Sequence, residues 1–307
     1  MLPFTLQQLR ILKAVAAEKN FTKAAKVLYL SQPSLSKQIK TLEKNLDIQL
    51  VNRKNNKISL TENGKVFLQY AERILALCEE SCRALIDLKN GDRGNLTVGA
   101  SQTIGTYLMP RVLALFAQNY PQIDLKVQVN STRFIANNVL NREIDIAVVG
   151  GEIPDEFKKN LTIQHFVEDE LSLIISKSHP FAKKKKIKKE NLYYLNFITL
   201  NSNSSIRNFI DNILLQNGIE PKELKIGMEF NSIEAIKIAV SLGLGAAFVS
   251  SSAIEKETEL KTIEIIKIEN IRMTRTLSII SNPECHKSKA FNLFYNELVT
   301  LKQIIEN

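Results

Sequence analysis

Apolar positions change their spacing twice along the chain. Leu6, Leu9, Ile11, Leu12, Val15 and Ala16 recur at helical intervals behind Thr5, a good N-cap, so the first helix is expected to run to about Glu18. A second begins near Phe21 and Thr22 with Ala24, Ala25 and Leu28 inward, and its small alanines let another helix approach closely. "YLSQPSLS" then stops the pattern and restarts it: Ser31 caps, and Pro33 lies in the first turn, where a missing N–H does no harm. Leu35, Ile39, Leu42 and Leu46 form the inner face of the restarted helix. Two short helices joined by a tight turn, the second freshly capped, make a helix-turn-helix. In "DIQLVNRKNNKISLTENG" two short alternating runs flank a basic tip, which predicts a two-stranded wing, and Thr61 caps a new helix.

From Glu62 to about Lys89 the helical spacing continues without proline. Ala71, Ile74, Cys78, Ser81, Leu85 and Leu88 alternate by three and four, with Phe67 and Tyr70 at the start, and such a seam wants a partner helix. A second copy of the chain is the expected partner, giving two helix-turn-helix heads on one DNA. "NGDRGN" ends the helix. Beyond it the period becomes that of alternating strands and helices. "LTVGAS", "DLKVQVN" and "EIDIAVVGG" read as strands around the helices "YLMPRVLALFAQNYP" and "RFIANNVLNR", a βαβαβ unit. A second set follows, with strands "ELSLIIS", "NFITL", "KIGMEF" and "GAAFVS" and helices "SIRNFIDNILLQNG" and "SIEAIKIAVSLG"; "RTLSII" and "SKAFNLFYNELVTLKQII" can return to the first lobe. The expected boundaries are 1–60 for the winged head, 61–90 for the linker helix and 91–307 for the body. Its first lobe takes about 91–165 and 268–307, its second about 166–267.

Charge separates these parts. Of the net +9 over 307 residues, +8 falls before residue 61, where eleven Lys and Arg face three acids. A basic head on a nearly neutral body meets a polyanion, because Lys and Arg displace counterions condensed on phosphates. No run of eighteen apolar residues and no export signal is present, which predicts no membrane partner, and three cysteines suit a reducing compartment. Cys78 and Cys82 lack neighbours to complete a metal site and are expected to pack; no metal and no covalently bound cofactor is expected. The run Lys183 to Lys189, "KKKKIKK", reads as a solvated face. "GLGAAF" precedes a strand and lacks a third dinucleotide-binding glycine, His165, His179 and His286 are scattered, and no P-loop occurs, so no enzyme is expected. A transport-type solute-binding protein would share the body's fold but has no use for a basic head.

The chemistry falls in two places. On the restarted helix, Gln32, Ser34, Ser36, Lys37, Gln38 and Lys40 offer groups for base edges and phosphates of a major groove, and Arg53, Lys54 and Lys57 on the wing reach backbone or minor groove. In the body, loops at strand ends supply Ser101, Gln102 and Thr103, then Asn130, Ser131 and Thr132, then Thr199, Asn201, Ser202 and Asn203, each set ahead of a helix. Neutral donors on positive helix ends suit a small anion held between two α/β lobes. Each of these residues is also an ordinary capping type.

The segment "LQQLRILKAVAAEKNFTKAAKVLYLSQPSLSKQIKTLEKNLDIQLVNRKNNKISLTENG" resembles the winged helix-turn-helix of LysR-type transcriptional regulators. The body is similar to their effector domain, so the likeness spans the chain. It implies an α/β, two-lobed, periplasmic-binding-protein-like effector domain behind an all-α winged helix-turn-helix and a long linker helix. It also implies operator DNA and RNA polymerase as partners, dimers or tetramers through the linker, and a small anionic effector. By this resemblance Gln32, Pro33, Ser36 and Lys37 lie nearest the bases and Arg53 enters the minor groove. The family often has Phe where Val51 stands and Arg where Lys37 stands. "GASQTIGTYLMPRVLALFAQNYP", "REIDIAVVGGEIP" and "EDELSLIISKSHPFA" look most like regulators of RuBisCO operons in autotrophic bacteria and plastids, the RbcR/CbbR subgroup. That implies an activator of carbon-fixation genes switched by a sugar phosphate, nicotinamide nucleotide or carboxylate; a LysR-type regulator of another operon is the alternative. The Asn-, Lys- and Ile-rich composition suits a plastid-encoded protein of the chloroplast stroma, with the bacterial cytoplasm as the other compartment.

Overall fold

The computed structural model describes residues 2–54, 57–90, 94–202 and 204–306, and only the backbone of residues 53, 54, 57, 83, 86–90 and 306. The chain divides into two compact units, residues 1–89 and 90–307.

In the first unit, α1 (Leu6–Glu18) starts on a reciprocal cap in which the Gln8 N–H donates to Thr5 Oγ1 at 3.2 Å and the Thr5 N–H to Gln8 Oε1 at 3.0 Å. Asn20 caps α2 (Phe21–Val27), its Oδ1 accepting from the Lys23 N–H, and Ser31 caps α3 (Gln32–Leu46), its Oγ accepting from the Ser34 N–H at 3.3 Å. Leu9, Ile11, Leu12, Ala24, Leu35, Ile39 and Leu42 are fully buried, and the two alanines of α2 lie in this core as their size requires. The wing strands β1 (Val51–Lys54) and β2 (Lys57–Leu60) pair antiparallel, Val51 opposite Leu60. Val51 is fully buried, so the smaller side chain still fills a core position.

Two devices fix the wing to the helices. One Glu43 oxygen accepts the N–H groups of both Leu50 and Val51 at 3.0 Å. Thr61 accepts from the Gly64 N–H at the start of α4 (Glu62–Asn90) while donating to the Gln49 carbonyl at 2.7 Å. Gly64 belongs here because a Cβ would stand 2.0 Å from the Leu50 carbonyl oxygen. The expected seam on α4 divides: Phe67, Ala71 and Ile74, with Leu75, pack on Leu9 and Phe4, whereas Ser81, Cys82 and Leu85 are exposed and Cys78 is half-buried. Cys82 thus does not pack in its own chain. The side chain of Leu88 lies outside the described residues.

The second unit is built on β3 (Gly94–Ser101), β4 (Ile123–Asn130), β5 (Ile146–Gly150), β6 (Thr162–Ser176), β7 (Lys186–Ile187), β8 (Asn196–Leu200), β9 (Lys225–Phe230), β10 (Ala247–Ser250), β11 (Ile263–Ile268) and β12 (Thr274–Ser281). Its helices are α5 (Met109–Asn119), extended backwards by a π-helical turn over Ile104–Leu108, α6 (Thr132–Leu140), α7 (Asp155–Lys158), α8 (Ser205–Gln216), α9 (Ile233–Ser241), α10 (Glu255–Glu259) and α11 (Lys289–Glu306). The main sheet runs β4-β3-β5-β12-β6-β11-β7 with β10 also on β6, and β8 and β9 pair parallel beside it. One half packs β3, β5 and β12 between Phe116 and Phe294 on one face and Ile135, Ala136 and Val139 on the other. The other half buries Ile206, Ile210 and Leu214 of α8 and Ile236 and Val240 of α9.

The sequence predicts a strand only from Glu170. The structure begins β6 at Thr162, because its first part pairs with β12, more than a hundred residues away in sequence. The chain therefore crosses between halves inside a strand, with β12 on β6 up to Glu170 and β10 and β11 on the residues after it. β7 and β11 are further strands that the alternation did not reveal. The lysine run is exposed except for Ile187, which is buried in β7.

Candidate functional site

On α3 the apolar core positions and the polar face separate at helical spacing. Gln32, Pro33, Ser34, Lys37 and Lys40 are exposed and Ser36 half-buried, while Leu35, Ile39 and Leu42 hold the helix from beneath. Gln38 is turned to internal use, accepting from Gln8 Nε2 at 3.2 Å. The helix therefore presents hydroxyls, an amide and two ammonium groups on one face of a rigid support, the geometry a major groove accepts. Lys54 and Lys57 are register partners at the wing tip; the side chains of Arg53, Lys54 and Lys57 lie outside the described residues.

In the second unit a cavity of about 330 Å³ opens between the two halves. Ser101, Gln102, Thr103, Ser131, Thr132 and Asn201 line it, as the loop chemistry predicts. Asn203 lies outside the described residues, and three other expected residues are elsewhere. Asn130 ends β4 and accepts from the Ser131 N–H, Ser202 is exposed on the turn beyond the cavity, and Thr199 lines a separate apolar pocket against α8. The cavity adds Ser204, Ser205, Asn231 and Arg275. The first three follow the pattern already used, polar residues between a strand end and a helix. Arg275 sits within a strand and carries no local signal.

Hydrogen bonding divides the lining into structural and available groups. Ser101 Oγ accepts from the Gly150 N–H at 3.1 Å and Thr132 donates to the Gly150 carbonyl at 2.9 Å, so both brace the strand end. Thr103 Oγ1 is buried without a partner, and Thr103 is only 3 % exposed. Arg275, buried at the crossing, donates from Nε to Asp169 Oδ2 at 2.7 Å. Its Nη2 lies 2.7 Å from the same oxygen without an aligned hydrogen bond of its own. Ser250 donates to the other Asp169 oxygen, so both carboxylate oxygens have a partner. Gly150 admits the guanidinium, because a Cβ would approach its Cζ and Nη1 to 3.3 Å. A buried hydroxyl and a guanidinium edge with spare donors lie beside the starts of α6, α8 and α9, and donors of this kind suit a small anion.

One turn beyond the cavity its walls are tied together. Tyr107, on the π-helical turn behind Thr103, donates to Glu234 Oε1 on α9 at 2.7 Å. Lys237, 4 % exposed, lies 2.9 Å from that oxygen and 3.0 Å from Glu257, donates to the Ala253 carbonyl, and sits 4.9 Å over the Tyr107 ring. Arg111 pairs with Glu255 beside them. Burial, reinforced by the Glu234 carboxylate, pushes the Tyr107 phenol well above its ordinary value. Burial alone would raise Glu234, but hydrogen bonds from Tyr107 and Lys237 hold it below its ordinary value. Among the described residues no helix is long and apolar enough to cross a membrane, and no His, Cys, Asp or Glu cluster has metal-site geometry.

Residues 6–65 match the family described as "Bacterial regulatory helix-turn-helix protein, lysR family", and residues 89–302 match "LysR substrate binding domain". The chain is 82 % identical over the full length of both proteins to a "Probable RuBisCO transcriptional regulator" of the alga Phaeodactylum tricornutum. Full-length CbnR in complex with its target DNA shares the fold at a TM-score of 0.70 and 23 % identity, over 97 % of this chain and 99 % of that one. The regulatory domain of Synechocystis CcmR in complex with 2-PG is similar at a TM-score of 0.62 and 25 % identity, over 69 % of this chain and 98 % of that one.

Proposed function

The chain belongs to the LysR family of helix-turn-helix transcriptional regulators, and from that premise we propose that it activates RuBisCO and other carbon-fixation genes under the control of a small anion bound between its lobes. The observation that carries the effector reading is the buried, unpartnered Thr103 hydroxyl beside the Arg275 edge in a 330 Å³ cavity. The named role of the 82 % identical relative supports the target, and its algal source supports a plastid stroma. The 2-PG carried by the CcmR domain makes small phosphorylated acids the first effector class to test. Sugar phosphates, nicotinamide nucleotides and other carboxylates follow.

In this reading Gln32, Pro33, Ser36 and Lys37 read bases, Ser34 and Lys40 contact phosphate, and Arg53, Lys54 and Lys57 hold backbone or minor groove. Lysine at 37 is a point charge, which reads guanine less rigidly than an arginine fork. The exposed part of α4 pairs with that of a second copy, and dimers associate into tetramers that meet RNA polymerase at the promoter. An anion accepted by Thr103, Gln102 and Arg275 favours one separation of the lobes. The Tyr107–Glu234–Lys237 cluster, one turn behind on both walls, resists or completes that movement, so ligand binding shifts a two-state equilibrium that spaces the DNA heads. Sequencing the DNA fragments retained by the protein with and without each metabolite tests target and effector together. Enrichment of carbon-fixation promoters, altered by a phosphorylated acid, is the expected result; a fragment set without such promoters sinks the target, and one no metabolite changes sinks the switch.

A further inference from the structure

A second hollow, on the other side of β6 and about 490 Å³ in volume, has a different chemistry. It exists because β11 leaves β6 after Ile266 and pairs instead with β7, and the chain beyond β11 returns to β6 only where the Leu171 N–H donates to the Met273 carbonyl. The excursion carries Lys267 and Arg272 to the rim, and β7 brings Lys186 from the lysine run. Lys186 and Lys267 are register partners on parallel strands. Like charges set opposite one another across a ladder repel. Both are exposed, and among the described residues neither has a carboxylate within ion-pair distance. Arg272 reaches only Glu170, loosely, at 3.8 Å. Lys183, Lys184 and Lys185 stand just before this pair and raise the local potential further.

We propose that this hollow binds a phosphorylated small molecule carrying at least two phosphates, independently of the inter-lobe cavity. The volume lies within the usual range for small-molecule sites. Two unneutralised ammonium groups side by side match adjacent phosphates, and the Arg272 guanidinium provides a forked donor for a third oxygen pair. The bound anion removes the repulsion that the empty site leaves between Lys186 and Lys267. Glu170, beside Arg272, disfavours a ligand that is anionic throughout and selects one with a hydroxyl or amine at that end. Ser172 and Asn270 line the same wall and supply neutral contacts.

The test uses the full chain and inorganic pyrophosphate as probe, followed by calorimetry and thermal melting at low salt. Wild type should bind one pyrophosphate here per chain, with affinity falling about tenfold or more in Lys186→Gln/Lys267→Gln, as expected for loss of two charge-assisted contacts. Thr103→Val should keep this binding, which separates the hollow from the cavity between the lobes. Without ligand the double variant should melt at or above the wild-type temperature, and pyrophosphate should raise the melting temperature of wild type and Thr103→Val clearly more than that of the double variant. If that variant folds poorly, Arg272→Gln supplies the same comparison with a smaller loss. Equal pyrophosphate binding by wild type and variants overturns the proposal. So does undetectable pyrophosphate binding together with weaker binding of random-sequence DNA by the variants, which would assign the lysines to a nucleic-acid backbone.

Discussion

The two units hold their chemistry in opposite ways. In the first, every group proposed to read DNA sits on one fifteen-residue helix or on the wing beside it, and those on the helix are exposed or half-buried over an apolar core that needs none of them. In the second, the cavity is assembled from six separate stretches of chain, and its most deeply placed cation is paired with an acid 106 residues earlier in sequence. A contiguous site can be altered without disturbing its support. An assembled site shares its groups with the fold, so function and stability separate only at positions such as Thr103, where a polar atom is buried but unused.

That contrast is broken most severely at Arg275. Replacing it by alanine leaves Asp169 buried with its charge uncompensated, and the second unit should lose about 3–5 kcal/mol, read as a lower melting transition, while the first unit keeps its DNA affinity. Asp169→Asn/Arg275→Met should recover much of that loss. Gly64→Ala tests the first unit's support: a Cβ 2.0 Å from a backbone oxygen forces the wing and α4 apart, at about 1–3 kcal/mol by denaturant unfolding. At the reading face, Ser36→Ala or Lys37→Ala should remove about 1–3 kcal/mol of operator discrimination without changing stability. Lys57→Ala should weaken all DNA equally and lower the salt slope by about 1. Equal losses on specific and random DNA in every variant would remove the base-reading assignment.

The smallest expected effect lies at the latch. Tyr107→Phe deletes one hydrogen bond to a half-exposed carboxylate and should cost about 1 kcal/mol or less in melting experiments. Glu234 is held below its ordinary 4.5, so its contribution is present above that pH and is lost as pH falls through the lowered value. Tyr107 is raised above its ordinary 10.0, so its contribution is present below that pH and is lost only at stronger alkalinity. The stability difference between wild type and Tyr107→Phe should therefore be flat across neutral pH and shrink in acid. A difference that changes between pH 6 and 8 would mean that another group governs the contact.

Legibility in the sequence follows the same division. The fold of the head could be read almost entirely, because capping residues, alanine spacing and the inner leucines are local signals, and the polar face of α3 is whatever the core leaves outside. Gln38 is the instructive exception, an apparent reading group engaged by Gln8 across the helix pair. In the body, strand-end loops pointed to most of the cavity, because most polar residues between a strand end and a helix in this topology face the same crevice. They also pointed to Asn130 and Thr199, since composition does not say which side of a strand end a side chain takes. Arg275 and the first part of β6 were invisible for one reason: each is fixed by a strand pairing across more than a hundred residues, which no local pattern encodes. The lysine run kept its solvated character, but only the register of β7 with β11 shows that one of its charges, Lys186, is set beside Lys267 at one hollow.

The central claim is that an anion between the lobes changes how the head holds DNA. Footprinting and bending of a carbon-fixation promoter by the full chain, with and without saturating 2-PG, ribulose bisphosphate or NADPH, tests it most directly. At least one of these should shorten or shift the footprint and alter the bend for wild type, and the same ligand should do neither, at the same concentration, for Thr103→Val. Footprint, bend and transcription unchanged by every ligand at saturation, or changed equally in both proteins, would contradict it.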